Sequence, residues 1–309
     1  MSEIQDDESK RAGKPPNTEA FRRFHDFKDE FDKNIQFSHG LLELMKTGSL
    51  ATDGFVTLPT GSEPWGKQLR FRSYEKYATD TSSFIATMGI VRAFAAFEDF
   101  LTVTVADLER TKFLRQDTTE TTRSDDTLPL DRQLGIIKFP ISEISSELPI
   151  YEFFSLSRNC IVHRNGRATD DLSSCASSAV FLKAYSDWKI GRGKPKPALP
   201  DIVPQKHISW SPRHAILCRI VLYKIAEKIN GFAITKLNES GLIYLAAYYT
   251  LFAKGRVRIK AYKSADKMIR SILADRYRVS FSQRKIINTL QTAGKWKDCL
   301  KEHRKLFGP

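Results

Sequence analysis

Residues 151–166, YEFFSLSRNCIVHRNG, combine a polar and an apolar pattern at helical spacing. If each residue advances about 100° around a helix axis, Arg158, Asn159 and His163 fall on one polar arc. The opposite side is apolar and consists of Phe153, Phe154, Cys160 and Ile161. Gly166 follows the last periodic residue, where helices commonly end in a left-handed turn. The stretch therefore predicts a helix that packs on a core and ends close to His163.

The same spacing argument, applied along the chain, predicts an all-α fold. Apolar residues recur at helical intervals in four long segments, which we expect to form a bundle. These helices are predicted near residues 19–46, 81–115, 148–165 and 212–230. Asn17 or Thr18 can cap the first of them. The Gly- and Pro-containing connections near 48–80, 116–140 and 167–210 are predicted to be loops, with a short strand pair at FVTL and QLRFR in the first.

Three regions follow from this pattern. Residues 1–17 are polar and contain two adjacent prolines, which is typical of a mobile leader. Residues 18–231 hold the predicted bundle. Residues 232–309 predict a C-terminal region of shorter basic helices, with starts near Glu239, Ser264, Ser282 and Lys295.

The positive charge is concentrated at the C-terminal end. Residues 206–309 carry 22 Lys and Arg against 6 Asp and Glu, whereas the other residues carry 27 basic and 30 acidic side chains. Such asymmetry favours a polyanionic partner, with nucleic acid first and an acidic protein or membrane surface second. A solvated basic helix surface with no such partner is the alternative.

Several classes of protein are disfavoured by the sequence. The longest apolar run, residues 241–253, is too short to span a bilayer, and the N-terminus lacks the apolar centre of a signal peptide. We therefore expect a cytoplasmic protein that uses no membrane.

The four cysteines and six histidines show no ligand spacing, so no metal or cofactor is predicted. Residues 61–68, GSEPWGKQ, imitate a phosphate-binding loop but end in Gln68 where magnesium needs a hydroxyl.

A carboxylate interrupts the stripe of the second long helix. Val91, Glu98 and Val105 are seven residues apart and so share one side of that helix. Burying an unpaired carboxylate is costly, so we expect Glu98 to meet a cation or to lie in a polar cleft. A structural ion pair within the bundle explains Glu98 equally well.

The string RNCIVHRNG resembles the R-N-x-x-x-H motif of the HEPN superfamily, a group of all-helical domains that includes many RNA-cleaving toxins and defence effectors. The preceding helix, which contains RAFAAFEDFL, is also similar to HEPN proteins. The architectural resemblance covers about residues 80–230, whereas the motif itself covers only some ten residues.

The resemblance implies a metal-independent endoribonuclease that forms a homodimer with two facing motifs. It implies cleavage by the RNA 2′-hydroxyl to give 2′,3′-cyclic phosphate and 5′-hydroxyl ends. His163 is then the general acid or base, Arg158 binds the scissile phosphate, and Asn159 orients His163 or the phosphate. Glu98 is a weaker candidate that pairs with Arg158 or tunes His163. By analogy, the resemblance also implies a toxin-like or defence effector with a cognate inhibitor or regulatory partner.

Basic residues outside the motif are candidates for binding RNA phosphates. They are Arg164, Arg256, Arg258, Lys260, Arg276, Arg278, Arg284 and Lys285. The alternative is a helical appendage whose cations are merely solvated. For the whole chain, the alternative function is a non-catalytic nucleic-acid-binding or dimerisation module.

Overall fold

The fold is predominantly helical. A computed structural model describes residues 15–47, 51–52, 55–58, 69–71, 74–114, 129–188, 196–253 and 262–308. The chain divides into two compact units, each assembled from separate stretches. The motif unit contains His25–Glu98 and Ile144–Ile225, and the terminal unit contains Met1–Phe24, Asp99–Glu143 and Ala226–Pro309. The boundaries predicted at residues 17 and 231 stay a prediction.

Ten α-helices are found in the described residues. They are α1 (Glu19–Lys46), α2 (Tyr74–Arg110), α3 (Pro129–Ile137), α4 (Leu148–His163), α5 (Asp170–Ser177), α6 (Ala179–Asp187), α7 (Pro212–Ala247), α8 (Ala265–Asp275), α9 (Gln283–Thr292) and α10 (Trp296–Phe307). Single turns of other helix types lie at Lys112–Leu114, Ile141–Ile144 and Tyr248–Phe252. A small antiparallel sheet contains β1 (Ala51–Thr52), β2 (Phe55–Leu58) and β3 (Leu69–Phe71).

The all-α prediction and most helix positions are confirmed. Helices α1 and α4 match the expected ranges to within two residues, and α8, α9 and α10 begin next to the predicted starts. The hydroxyl of Thr18 accepts a hydrogen bond from the N–H of Phe21, so Thr18 caps α1 as expected. The strand pair is also confirmed, because Val56 of β2 lies opposite Phe71 of β3.

The loop predictions are wrong in part. Residues 167–210 contain α5 and α6, residues 116–140 contain α3, and α2 begins at Tyr74 inside the predicted 48–80 loop. Thr169 and Ser178 cap α5 and α6 by accepting hydrogen bonds from backbone N–H groups three residues on. Helices this short owe their stability to packing, which local periodicity does not reveal.

Helix α7 does not end near residue 230, contrary to the sequence prediction, and it runs through Gly231. The helix continues to Ala247 and is interrupted only at Asn238, whose φ is 53°. The Asn238 side chain accepts hydrogen bonds from the N–H groups of Ser240 and Gly241, so it caps the helical segment that the sequence predicted near Glu239. A glycine inside a helix costs about 1 kcal/mol, which the burial of Ala233 and Leu237 offsets.

Close helix contacts build the core of the motif unit. A Cβ atom on Gly89 of α2 would lie 2.9 Å from the Cβ of Ala215 on α7 and 3.2 Å from Ile35 on α1. Only glycine permits this approach. Arg219 of α7 forms a bidentate ion pair with Asp32 of α1 and is buried. These contacts bring α1, α2 and α7 together as one bundle.

Buried polar groups hold the terminal unit together. Asn17 was expected in the mobile leader, but it is 1% exposed and its N–H donates to the carbonyl of Tyr277. Glu19, also 1% exposed, accepts hydrogen bonds from the guanidinium of Arg276 at 2.7 and 2.9 Å. Among the described helices, none combines the length and the apolar character needed to cross a membrane.

Asp107 in the terminal unit makes stability depend on pH. Burial raises the pKa of Asp107 from 3.8 to about 6, although the Tyr249 hydroxyl and the charge of Arg110 oppose the shift. Because the folded pKa is raised, stability that is present below the usual pKa is lost as pH rises through about 6.

Replacing Asp107 by asparagine removes this loss of stability. The amide oxygen can still accept from the Tyr249 hydroxyl, which now lies 2.7 Å from Oδ1. We compare the unfolding free energy of Asp107→Asn with that of wild type at two pH values. The variant minus wild-type difference should be about 2 kcal/mol more favourable to the variant at about pH 7.5 than at about pH 4.5. Urea unfolding at both pH values measures the gain, and a difference that does not change with pH would contradict the assignment.

Candidate active site

Helix α4 carries the candidate site, and aromatic contacts fix its position in the motif unit. Pro149 lies in its first turn, where a missing N–H costs no hydrogen bond. The ring of Tyr151 contacts Phe94 and Phe97 of α2, with ring centres 5.7 and 6.2 Å apart. On the other side, Phe153 stacks on Phe181 of α6 at 4.6 Å. The buried face of α4 is therefore clamped between α2 and α6.

The C-terminal end of α4 has the geometry that the sequence predicts. His163 is the last helical residue, and the N–H groups of Arg164 and Gly166 both donate to the carbonyl of Cys160. Asn165 and Gly166 adopt φ values of 51° and 77°, in the left-handed region. This sharp ending leaves the His163 side chain exposed to solvent.

Arg158 connects the two helices of the site. Its Nη2 lies 3.6 Å from Oε1 of Glu98 on α2, and its Nη1 donates to Oδ1 of Asn159 at 3.2 Å. The Arg158 Nε is buried and has no hydrogen-bond partner within the described part of the chain. A ligand cannot reach this buried atom, but the Arg158 side chain is 31% exposed, so N–H groups of its terminal nitrogens can meet an anionic ligand.

Glu98 differs in part from the prediction. It meets a cation, as expected, but its side chain is 45% exposed and does not interrupt a buried face. The buried stripe of α2 runs through Phe94, Phe97 and Leu101 instead. Glu98 lies at the edge of that stripe, where a carboxylate stays partly hydrated.

Sequence reasoning missed a second group of basic side chains at the end of α4. Arg167 and His207 form an antiparallel backbone bridge, and the N–H of Ile208 donates to the carbonyl of Gly166. The pairing brings Lys206 and His207, both exposed, beside the helix end. No local pattern signals this, because about 40 residues separate the two strands of the bridge.

The predicted phosphate-binding residues outside α4 occupy different surroundings. Arg164 and Arg284 are exposed, whereas Arg278 is half-buried and adopts a left-handed conformation. Lys285 forms an ion pair with Glu239 on the surface. Arg276 was expected to face solvent, but its guanidinium donates two hydrogen bonds to the buried carboxylate of Glu19. Arg256, Arg258 and Lys260, like the segment 61–68, lie outside the described residues.

The side chains of the site offer both oxygen and nitrogen atoms to a ligand. Within the described residues, no three His, Cys, Asp or Glu side chains are placed to hold a metal ion. The side chains placed at α4 are one carboxylate, one guanidinium, one amide and one imidazole. A comparison of the chain with protein-family models, curated proteins and solved structures found no match.

Proposed function

We propose that the chain is a metal-independent endoribonuclease of the HEPN type. In the proposed reaction, the 2′-oxygen of RNA attacks the adjacent phosphorus and the bond to the 5′-oxygen breaks, which gives a 2′,3′-cyclic phosphate and a 5′-hydroxyl. The observation that carries the proposal is the position of Arg158 between Glu98 and Asn159, on the helix that ends in exposed His163.

Each side chain has a role that its chemistry allows. The planar guanidinium of Arg158 matches two phosphate oxygens and stabilises the charge that develops on them. His163 transfers a proton, either from the 2′-hydroxyl or to the leaving 5′-oxygen. Asn159 lies one turn before His163 and orients the imidazole or the phosphate. Glu98 holds Arg158 until substrate arrives.

The basic group at the end of α4 supports an RNA substrate. Arg164, Arg167, Lys206 and His207 are all exposed there. Cations in such a group attract a polyanion and neutralise successive phosphates. We propose that the RNA backbone follows this group toward Arg158.

One copy of the site supplies one motif histidine, whereas the reaction needs both an acid and a base. We therefore propose a homodimer in which two α4 helices face each other. An exposed apolar stripe on α2 supports the proposal that a second copy of the chain packs against this part of the motif unit. It contains Phe84 and Met88 of α2, which are 65% and 49% exposed. On α4, Val162 is 47% exposed. Viewed down the helix axis, its direction falls between those of Arg158 and Asn159.

Placing a negative charge in the apolar stripe tests the dimer. We expect Phe84→Glu to convert a dimer into a monomer and to abolish cleavage, because two carboxylates would replace an apolar contact at the two-fold interface. Sedimentation velocity measures the mass. Val180→Glu is the matched control, because Val180 is an apolar residue that is 68% exposed on α6, a helix that contributes no residue to the stripe. A Phe84→Glu protein that stays dimeric, or a monomeric wild type that cleaves RNA, would reject this interface.

The nuclease proposal is tested by incubating wild type and His163→Ala with cellular RNA in excess chelator. We expect wild type alone to produce fragments with 2′,3′-cyclic phosphate ends. Salt-dependent RNA binding without cleavage by either protein would favour the alternative, a non-catalytic nucleic-acid-binding or dimerisation module. Cleavage that both proteins retain would exclude this site.

A further inference from the structure

Three cations form a stripe on the surface of α10 in the terminal unit. Lys297, Lys301 and Arg304 are exposed and follow one another at spacings of four and three residues. They therefore share one face of the helix, over a length of about 10 Å. Unlike Lys305, which pairs with Glu302, these three side chains form no ion pair within the described part of the chain. Their charges are thus open to a ligand.

A cavity of about 550 Å³ adjoins this stripe. Arg304 belongs to both, and Lys263 lines the cavity as a further exposed cation. The other side chains that line it include Tyr262, His303 and Phe307. The rings of His303 and Phe307 lie 5.1 Å apart, and Phe307 is 37% exposed. The cavity therefore offers the partly exposed ring of Phe307 next to positive charge.

The walls of the cavity are fixed rather than loosely placed. Nε2 of buried His303 donates to the carbonyl of Tyr262 at 2.9 Å. The hydroxyl of Tyr262 is 2.6 Å from the hydroxyl of Ser271 on α8. Because these bonds tie the segment before α8 to α10, the shape exists before a ligand binds. Preorganisation of this kind lowers the entropic cost of binding.

We propose that this surface, formed by Lys263, Lys297, Lys301, Arg304 and Phe307, anchors single-stranded RNA. The stripe contacts consecutive phosphates, and one unpaired base enters the cavity and stacks on Phe307. A linear row of cations beside an aromatic wall matches a repeating polyanion with planar groups. Duplex RNA keeps its bases stacked inside the helix, so it cannot place one in the cavity. The choice of RNA rests on the proposed function, but the anchoring site is separate from the α4 site.

The test uses the full chain with His163→Ala, so that the RNA stays intact. Fluorescence anisotropy of a labelled single-stranded RNA of mixed sequence, measured over a range of salt concentrations, gives the affinity and its salt dependence. We expect the triple variant Lys297→Glu, Lys301→Glu, Arg304→Glu to bind more weakly and to reduce the slope of log affinity against log salt by about 2. Phe307→Ala should weaken binding roughly tenfold with an unchanged slope.

A matched control reverses three exposed lysines of the motif unit, Lys33, Lys76 and Lys183, and so changes the net charge equally. We expect this control to retain the affinity and slope of the parent. Unchanged binding by the α10 triple variant, or an equal loss in the control, would overturn the proposal. So would duplex RNA that binds as tightly as the single strand.

The two proposals fail in different ways. If the α10 triple variant binds RNA normally while wild-type protein cleaves it, the anchoring site is wrong and the nuclease assignment stands. If wild-type protein does not cleave RNA but the triple variant and Phe307→Ala lose binding, the anchoring site stands and the nuclease assignment fails.

Discussion

Replacing His163 by alanine should lower the rate of RNA cleavage by about a hundredfold to ten-thousandfold, the usual contribution of one acid–base group. His163 is exposed at the end of α4, so its removal leaves no cavity in the core. The variant should therefore fold and bind RNA normally. Single-turnover cleavage of a labelled RNA in excess chelator measures the loss, and thermal unfolding verifies the fold.

Matched variants separate chemistry from surface charge. His39→Ala changes a half-buried histidine of α1 that lies 3.8 Å from Glu43, and it should cleave at the wild-type rate. Arg158→Ala should lose cleavage, and Arg158→Lys should not restore it, because an ammonium group cannot contact two phosphate oxygens in one plane. Full activity in either Arg158 variant would remove Arg158 from the proposed mechanism.

Replacing Arg276 by methionine should destabilise the terminal unit by about 3 kcal/mol. The Glu19 carboxylate is 1% exposed, and without Arg276 its one remaining cation among the described residues would be Arg23, at 3.1 Å. A buried charge that loses its main partner is costly, whereas the neutral pair can be tolerated. Urea unfolding followed by circular dichroism measures the change.

A double variant provides the control for this prediction. Glu19→Gln together with Arg276→Met should recover most of the lost stability, because no unpaired charge remains. Lys285→Ala breaks an exposed ion pair with Glu239 and should cost less than about 1 kcal/mol. If Arg276→Met instead leaves stability unchanged and weakens RNA binding, Arg276 contacts phosphate and the structural assignment is wrong.

The helices that the sequence predicted correctly are those whose signals are local. In α4, a proline in the first turn, an apolar stripe and Gly166 after the last turn all lie within 20 residues. Side-chain direction in a helix follows directly from spacing, so the polar arc with Arg158 and His163 could be predicted. The sequence also predicted that Glu98 meets a cation, and Arg158 is that cation, although the burial on which the prediction rested is not found.

Only the tertiary structure could identify the residues that pair with buried charges. Arg276 follows Glu19 by 257 residues, and no spacing rule connects them. The sequence therefore suggested a solvent-facing phosphate binder where the fold places a buried ion pair. His207 reaches the end of α4 for the same kind of reason, through backbone pairing with Arg167.

For this protein, the sequence by itself determined that four long helices form, the bounds of α1 and α4, and which side of α4 is polar, because periodicity encodes them. Only the tertiary structure decided that short helices form in the predicted loops, that Glu98 stays half-exposed, and that α10 joins its cations to a cavity. Those features depend on contacts between distant segments, whose free energy is absent from any local pattern.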